Sequence, residues 1–291
     1  MLPLTNEADI QVREVPLPTA AGHVLSMRMF SLPEPRAVLI MAGAMGVVQG
    51  CYEKFARFMA GQGFAVFTFD YAGSGASLHG HMRNCKSGIT DWGEYDCQAV
   101  IDYAKAHYPQ LKLHWVGHSV GGQLLGMTPN VNKIDNAVTV ACGSGYWREN
   151  SPPTKRIAWL LWYFIAPVAV PVCGYFPGKR LNMVGDLPAK VMQQWRRWCR
   201  NPEYAVGHEG AAMRESYASV RVPITSLAFT DDEMMSERNV VSLHGFFRNA
   251  PMTMVRVSPA ELGVNAVGHL GWFREKYREA IWAGKILPLL K

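Results

Sequence analysis

The chain has 291 residues, of which 49% are hydrophobic and 18% are charged. This balance excludes an intrinsically disordered chain, because a polypeptide of this length and apolar content can bury a full core in one or two domains. The 29 basic and 23 acidic residues give a net charge of +6, but no nucleic-acid-binding motif accompanies the excess. We therefore expect no nucleic-acid partner.

The six cysteines are scattered along the chain without a C-x-x-C pair. Their spacing predicts neither a zinc site nor a redox motif, and it favours reduced thiols in a reducing compartment. The chain begins MLPLTNEADIQVREV, which lacks the basic and then apolar pattern of a secretory signal. We therefore expect a cytoplasmic protein.

The first elements along the chain are a predicted hairpin and then an alternation of strands and helices. Residues 11–18 and 23–30 alternate polar and apolar side chains on either side of a turn. Short apolar runs then predict buried strands at 37–43, 64–70, 111–117, 136–143, 223–229 and 252–258. Helical patterns are predicted at 51–63, 91–109, from 121, at 236–248 and from 271 towards the C-terminus. This alternation is typical of the α/β class, with a mostly parallel central sheet covered by helices on both faces.

The alternation is interrupted between Gly145 and Val222. We interpret residues 146–220 as a helical cap inserted between two strands of one core domain, which comprises residues 1–145 and 221–291. The insertion carries ten basic and five acidic residues and five of the nine tryptophans. Its net charge of +5 creates a positive field over the surface that it covers, which suits an anionic substrate or carrier surface.

An uncharged stretch of the cap, residues 157–177, is long enough to raise the question of a membrane span. Pro167, Pro171 and Gly174 interrupt its helical pattern and argue against a span. We favour a cap that packs over a substrate pocket, and a cap that also contacts an anionic membrane or lipid surface is the second interpretation. Three aromatic residues of this region are expected to bind substrate: Trp159, Trp162 and Tyr163.

The strongest local signal is Gly117-His118-Ser119-Val120-Gly121, which directly follows a predicted strand and opens a predicted helix. In this G-x-S-x-G pattern the serine occupies a sharp strand-to-helix turn, and a Cβ at either glycine would collide with neighbouring backbone. The turn exposes the serine hydroxyl beside the N–H groups of a helix N-terminus. We expect Ser119 to be a nucleophile and His118 to be a packed neighbour.

A serine hydroxyl needs a base that removes its proton and an acid that orients the base. The sequence offers both at the carboxyl ends of later strands, where open α/β sheets place ligands. The acidic turn 230–233 (Thr-Asp-Asp-Glu) follows one predicted strand, and the glycine-flanked His269 follows the next. We expect His269 to be the base and Asp232 to be the acid, with Asp231 open as the alternative.

The oxyanion formed during acyl transfer needs backbone N–H donors. One expected donor is Val120, which follows the nucleophile, and the other comes from the loop after the first buried strand, Gly43-Ala44-Met45-Gly46. We favour Ala44 for this second donor and keep Met45 as the alternative.

With these residues assembled, the chain resembles members of the α/β-hydrolase superfamily, in the group of capped esterases, lipases and serine aminopeptidases. The resemblance covers nearly the whole chain and is most specific at residues 117–121. Residues 70–77 (DYAGSGAS) resemble the D-x-R-G-x-G-x-S turn of the family, and parts of residues 174–198 resemble the cap of uncharacterised bacterial hydrolases. Two departures are Ala42, where the family has histidine, and Ala72, where it has arginine. The resemblance implies the α/β-hydrolase fold.

Two classes of function follow from these residues. In the first, a serine hydrolase cleaves a small-molecule carboxylic ester through an acyl-enzyme, without a metal or organic cofactor, and the aromatic cap favours an apolar acyl or alcohol group. The same triad would also serve a thioesterase, an acyltransferase or a peptidase. In the second, a non-catalytic member of the fold binds a ligand and keeps the serine turn. The presence of all three triad residue types favours the enzyme.

Overall fold

A computed structural model describes residues 9–290. Residues 1–8 and Lys291 lie outside the described residues. The predicted core domain begins within residues 1–8, and so does the N-terminal segment that lacks the pattern of a secretory signal. Within the described range, eight strands form one sheet and two short strands form a second. The strands are β1 (Gln11–Pro18), β2 (Val24–Ser31), β3 (Ala37–Ala42), β4 (Phe64–Phe69), β5 (Leu113–His118), β6 (Asn136–Val140), β7 (Tyr175–Phe176), β8 (Leu187–Pro188), β9 (Ile224–Phe229) and β10 (Met252–Val257).

The strands of the large sheet lie in the order β1, β2, β4, β3, β5, β6, β9, β10. The β1–β2 and β2–β4 pairs are antiparallel, whereas every pair from β4 to β10 is parallel. The predicted hairpin near the N-terminus and the mostly parallel sheet are therefore confirmed, and with them the α/β class.

Helices cover both faces of this sheet. Those of the described chain are α1 (Glu53–Gly61), α2 (Ile89–Asp91), α3 (Gln98–His107), α4 (Val120–Gln123), α5 (Pro152–Leu160), α6 (Ala166–Cys173), α7 (Ala189–Cys199), α8 (Tyr204–Glu209), α9 (Ala211–Ser219) and α10 (Glu237–His244). Wider π-helical segments join α2 to α3 (Trp92–Cys97) and α5 to α6 (Leu161–Ile165), and another forms the C-terminal helix (Arg278–Ile286).

The two faces of the sheet bury different residues, because successive side chains of a strand point to opposite faces. In β3, Val38 and Ile40 belong to the core that contains α3, whereas Leu39 and Met41 belong to the core that contains α1 and the C-terminal helix. All four residues are at most 1% exposed. This two-sided burial is the reason why the central strands form continuous apolar runs in the sequence.

Two helices differ from the sequence pattern. The helix predicted from residue 121 is α-helical only to Gln123 and continues as a 3₁₀ helix, Leu124–Met127. The C-terminal helix was expected from residue 271 but begins at the 3₁₀ turn Glu275–Tyr277. The preceding residues form a turn instead, which is closed by a hydrogen bond from the Arg274 N–H to the Gly271 carbonyl.

The segment between β6 and β9 contains α5 to α9 and the small sheet of β7 and β8. It includes the proposed cap at 146–220, whose domain boundaries stay a prediction. Its last helix, α9, packs against the core, because Tyr217 is fully buried and donates its hydroxyl hydrogen to the Gln123 carbonyl.

Within this segment, α5, the π-helical turn and α6 together form one helix of 22 residues, Pro152–Cys173. By length and composition alone it could cross a membrane, and 22% of its most apolar stretch is buried against the protein. One such helix is weak evidence for a span, and Pro171 lies inside α6.

The parallel strands bring the expected functional residues to one edge of the sheet. The loop at 43–46 follows β3, Ser119 follows β5, the acidic turn at 230–233 follows β9, and His269 follows β10. The carboxyl ends of parallel strands meet at the same edge, so these four segments, distant in sequence, come together there.

Buried histidines make the fold sensitive to acid. Burial lowers the pKa of His114 and of His244 to about 4. His244 Nδ1–H donates to the Val240 carbonyl, so Nε2 accepts from the Thr139 hydroxyl at 2.8 Å, and protonation of Nε2 would break this second bond. The unfolded chain binds more protons than the folded one between the ordinary histidine pKa and this lowered value, so the stability of the fold decreases as the pH falls through that window.

We predict that protonation of His244 lowers the free energy of unfolding by on the order of 3 kcal/mol between about pH 6.5 and pH 4. His244→Gln should flatten this dependence, because the amide does not titrate and can replace both hydrogen bonds. Urea unfolding at a series of pH values measures the effect, with His208→Gln on the exposed surface as the matched control. A pH dependence that is the same in His244→Gln as in the wild type would contradict the assignment.

Candidate active site

Ser119 occupies a sharp turn between β5 and α4, with a φ of 53° that non-glycine residues rarely adopt. Two close backbone approaches shape this turn. A Cβ on Gly117 would lie 2.6 Å from the Gly121 carbonyl carbon, and a Cβ on Gly121 would lie 2.1 Å from the Ala42 carbonyl oxygen. Both flanking positions therefore need glycine, and the strain in the turn is held by the surrounding structure.

His269 lies within hydrogen-bond distance of both Ser119 and Asp232. Its Nε2 is 3.1 Å from Ser119 Oγ, and its Nδ1 is 2.9 Å from Asp232 Oδ2. The imidazole and the carboxylate are each 2% exposed. Because an ionised carboxylate only accepts hydrogen bonds, the proton of the neutral imidazole is assigned to Nδ1. Nε2 is then free to accept the proton of the serine hydroxyl.

The carboxylate of Asp232 has partners on both oxygens. Oδ1 accepts the backbone N–H groups of Met234 and Met235, both at 2.8 Å, while Oδ2 faces His269. Of the two aspartates that the sequence left open, the structure thus brings Asp232 to the imidazole.

The neighbouring acidic residues bind the backbone of the histidine loop instead. Asp231 Oδ2 accepts the N–H groups of Val267 and Gly268 at 2.7 and 3.1 Å. Glu233 Oε2 accepts the N–H of His269 at 2.9 Å. Three consecutive carboxylates after β9 therefore hold one short loop after β10.

His118 lies behind the site as a packed neighbour. Its side chain is fully buried, and burial holds the pKa of the imidazole well below its ordinary value, so the ring is neutral. Nε2 is 3.0 Å from the His269 carbonyl and therefore carries the proton. Nδ1 then accepts the hydroxyl hydrogen of Tyr52 at 2.8 Å.

The Tyr52 hydroxyl oxygen also accepts the N–H of Ala44, at 2.8 Å. Ala44, the favoured second oxyanion donor, therefore directs its N–H at a buried phenol. The Met45 N–H makes no hydrogen bond to any residue of the range 9–290, and Met45 lines the same cavity as Ser119 and Val120. Ala44 lines this cavity as well, so the difference between the two amides is that only the Met45 N–H is without a partner among these residues. This difference supports Met45, the alternative drawn from the sequence, as the proposed second oxyanion donor.

The turn at residues 70–77 supports the loop that follows β3. Asp70 accepts the N–H groups of Gln49 at 2.7 Å and Ala76 at 2.9 Å, and the Ser77 hydroxyl donates to the Asp70 carbonyl. This motif therefore fixes the backbone at Gln49, shortly after Met45, and makes no hydrogen bond to Ser119.

Two adjoining cavities lie next to Ser119. The first has a volume of about 230 Å³ and is lined by Ser119, His269 and the loop at 44–47. The second has a volume of about 410 Å³, lies under α5 and has mostly apolar walls. Met183 and Trp195 of the proposed cap line both cavities. The proposed cap thus encloses an apolar space that adjoins the serine.

The structure places one of the three aromatic residues expected to bind substrate on the wall of a cavity and the other two on the surface. Trp162 is 3% exposed and lines the second cavity, whereas Trp159 and Tyr163 are 46% and 42% exposed and line neither of the two cavities. Helical periodicity explains the difference, because Ala158, Leu161 and Trp162 share the inward face of this helix, and the other two aromatic residues point outward.

Sequence reasoning missed Tyr52, Glu233 and the segment 183–185. Glu233 belongs to a visible run of acidic residues, but that run gives no sign that each member binds the same loop. The segment 183–185 contacts the loop after β3, since a Cβ on Gly46 would lie 2.6 Å from the Gly185 nitrogen. Neither this segment nor Tyr52 belongs to a motif.

Among the described residues, cysteines and potential metal-ligand side chains form no second functional site. No group of three or more His, Cys, Asp or Glu side chains among them is arranged to hold a metal ion, and the six cysteines are unpaired. Cys142 donates its thiol hydrogen to the Ser119 carbonyl at 2.9 Å, and burial raises the pKa of this thiol. It therefore supports the serine turn as a neutral thiol.

Comparison with known proteins identifies similar sequences. The family model described as serine aminopeptidase, S33, matches residues 33–257. Human monoglyceride lipase is 27% identical over 130 residues, an alignment that covers 43% of this chain and 41% of the lipase. The aligned part thus spans less than half the length of that curated relative.

Solved structures share the fold along nearly the whole chain. An esterase from Pyrococcus furiosus superimposes with a TM-score of 0.63 at 13% identity, covering 97% of this chain and 91% of that one. A soluble variant of monoglyceride lipase from Saccharomyces cerevisiae, solved with a substrate analogue, gives a TM-score of 0.63 at 14% identity, covering 99% and 98%. At these identities the likeness shows that the fold is the same.

The buried bonds of Tyr52 predict a measurable loss of stability. Tyr52→Phe leaves both the Ala44 N–H and the His118 Nδ1 without a partner, so we expect the free energy of unfolding to fall by about 2 kcal/mol. Tyr71→Phe is the matched control, because the Tyr71 hydroxyl donates one hydrogen bond, to the Gly43 carbonyl at 2.9 Å. Urea unfolding compares the two variants, and a loss in Tyr52→Phe no larger than that in Tyr71→Phe would count against the two hydrogen bonds of the Tyr52 hydroxyl.

Proposed function

Because the chain belongs to the serine aminopeptidase S33 family of α/β-hydrolases, a family with esterase and lipase relatives, we propose that it cleaves a carboxylic ester with an apolar acyl or alcohol group. The observation that carries the proposal is the approach of His269 Nε2 to Ser119 Oγ at 3.1 Å, with Asp232 on the opposite ring nitrogen. Ester hydrolysis needs a nucleophile, a base within hydrogen-bond distance of it and an acid that orients the base.

In the first half of the proposed reaction, Ser119 Oγ attacks the ester carbonyl carbon while His269 Nε2 takes the hydroxyl proton. The Asp232 carboxylate stabilises the imidazolium that forms and keeps the ring in its orientation. The oxyanion accepts hydrogen bonds from the backbone N–H groups of Val120 and Met45. When the intermediate collapses, His269 returns the proton to the departing alcohol and the acyl group stays on Ser119.

In the second half, a water molecule attacks the acyl-enzyme. His269 takes a proton from the water, the tetrahedral intermediate breaks the bond to Ser119 Oγ, and the imidazole returns the proton to the serine. The carboxylic acid leaves and the enzyme is regenerated. No metal ion or organic cofactor takes part in these steps.

An apolar substrate fits the walls of the two cavities. The second cavity is lined by Leu161, Trp162 and Phe176 among other apolar side chains. Burial of each methylene group of an acyl chain there contributes about 0.8 kcal/mol. The names of two relatives, both monoglyceride lipases, support a monoacyl ester as the substrate class.

A free N-terminal amine, the group that an aminopeptidase must recognise, would need a carboxylate in the pocket. Among the described residues, the walls of the first cavity include no acidic side chain, and Glu233, which lines the second, already binds the His269 N–H. Ester cleavage is therefore favoured over peptide cleavage. The cytoplasmic location stays a prediction.

Hydrolysis of p-nitrophenyl esters from acetate to palmitate tests the proposal. We expect kcat/KM to rise about fourfold per added methylene over the short chains, until the cavities are filled. Ser119→Ala should abolish the activity at every chain length, and Ser219→Ala, the same change on the exposed surface of α9, should leave it unchanged.

Two results would overturn the proposal. Activity that survives in Ser119→Ala would exclude the serine as nucleophile, and a rate independent of chain length would exclude the apolar acyl site. A parallel assay with added methanol measures the methyl ester formed. If the product is mostly methyl ester at low methanol concentration, the chain is an acyltransferase and not a hydrolase.

A further inference from the structure

The outer face of the helix formed by α5 and α6 is an exposed apolar surface. Of the twelve large hydrophobic residues that are exposed in the described chain, seven belong to this one helix. Six of them, 41% to 75% exposed, define what we term the outer face: Trp159, Leu160, Tyr163, Phe164, Val168 and Val172. A folded protein rarely exposes so many apolar side chains together unless they meet a partner.

We propose that this outer face docks on the surface of an anionic lipid bilayer, with the helix lying in the plane of the interface. Delivery of an acyl ester from that bilayer to Ser119 rests on the proposed function, whereas the docking itself does not. An interfacial helix buries its apolar face about 5–10 Å into the boundary between headgroups and acyl chains.

Basic side chains beside the outer face indicate the charge of the lipid. Lys155 and Arg156 lie on the helix just before the outer face, and Lys179 and Arg180 follow its C-terminal end. All four are exposed, and none forms an ion pair with another described residue. Each basic residue near an anionic surface contributes about 1 kcal/mol of attraction.

A groove between α6 and α7 adds two further cations. It has a volume of about 240 Å³, and its walls include Pro167 and Pro171 from the apolar helix and Arg196 and Arg197 from α7. An apolar wall opposite two guanidinium groups suits a lipid, whose acyl chains and phosphate need these two environments.

The opposite face of the same helix lines the apolar cavity. Ala158, Leu161 and Trp162 are buried and form part of the walls of the second cavity, which adjoins the one at Ser119. Ile157 is 57% exposed and also lines that cavity, so it lies between the two faces. The proposed membrane surface and the proposed acyl site therefore lie on opposite sides of one helix, separated by the diameter of that helix.

Contacts with α7 and with the residue that follows it favour a helix that stays on the protein over one that crosses the membrane. The Arg196 guanidinium donates to the Trp162 carbonyl, and that of Arg200 lies 4.6 Å from the centre of the Tyr163 ring. A helix that crossed the bilayer would lose these contacts and the packing of its buried inner face against the protein.

Sedimentation with vesicles tests the docking. The protein is mixed with vesicles of phosphatidylcholine alone or with 30% phosphatidylserine, and bound protein is measured. We expect Phe164→Ser/Val168→Ser to reduce binding to the anionic vesicles at least about tenfold, because two side chains of the outer face are lost. Val241→Ser, a residue 56% exposed on α10, is the matched control and should bind like the wild type.

The charge contribution is tested in the same assay. Lys155→Glu/Arg156→Glu should bind the anionic vesicles at least about tenfold more weakly and lose the preference over neutral vesicles. Arg13→Glu/Lys112→Glu makes the same change of charge outside the proposed cap. This variant should keep both the wild-type binding to anionic vesicles and the preference for them over neutral vesicles. The urea midpoint of unfolding should be unchanged in all these variants, which shows that they are folded whether or not the chain hydrolyses esters.

Three outcomes would overturn docking. One is equal binding by Phe164→Ser/Val168→Ser and the wild type, and another is retention of the bound protein by vesicles after alkaline carbonate extraction, which would indicate a span. The third is a wild-type dimer in light scattering that Phe164→Ser/Val168→Ser dissociates, which would assign the outer face to a second copy. Ser119→Ala should bind vesicles like the wild type, so loss of the proposed function and loss of docking are separable.

Discussion

The acidic turn after β9 and the histidine loop after β10 are held together by carboxylate hydrogen bonds, and the geometry of the site depends on them. Asp231 and Glu233 accept backbone N–H groups of the loop, and Asp232 accepts the imidazole Nδ1–H. An imidazole on a surface loop would otherwise lose conformational entropy on reaching the serine. With three carboxylates on one loop, His269 is positioned before any substrate binds.

The segment proposed as a cap contacts the same acidic turn from its other side. The Ser151 hydroxyl donates to the Asp232 carbonyl at 2.7 Å, and the Thr154 hydroxyl donates to the Glu233 carbonyl. Both hydroxyls lie at the start of α5, whose inner face lines the apolar cavity and whose outer face is exposed. The proposed triad acid, the proposed acyl site and the proposed membrane surface are thus connected through one helix.

The parts of the site that the sequence predicted are those set by backbone topology. The glycines around Ser119 mark a turn that only glycine permits, and parallel strands bring their carboxyl ends to one edge. The order along the chain was therefore sufficient to choose Ser119, His269 and the acidic turn, but the contact of Asp232 rather than Asp231 with the imidazole is visible only in the structure. The outcome for Trp159 and Tyr163 differs, because composition reveals an aromatic helix but does not reveal which of its faces is turned inward. The bond between the Ala44 N–H and Tyr52 was also beyond prediction, since it depends on tertiary packing of a residue in no motif.

The most direct test of this account compares two adjacent aspartates. Asp232→Asn replaces an acceptor of the imidazole Nδ1–H by an amide that can donate, which favours the wrong tautomer. We predict a fall in kcat for p-nitrophenyl butyrate of ~10⁴-fold, with KM nearly unchanged. Asp231→Asn keeps an oxygen that can accept the backbone N–H groups of the loop, and its kcat should fall less than about tenfold. Equal losses in the two variants, or a larger loss in Asp231→Asn, would contradict the assignment of Asp232 as the residue that orients His269.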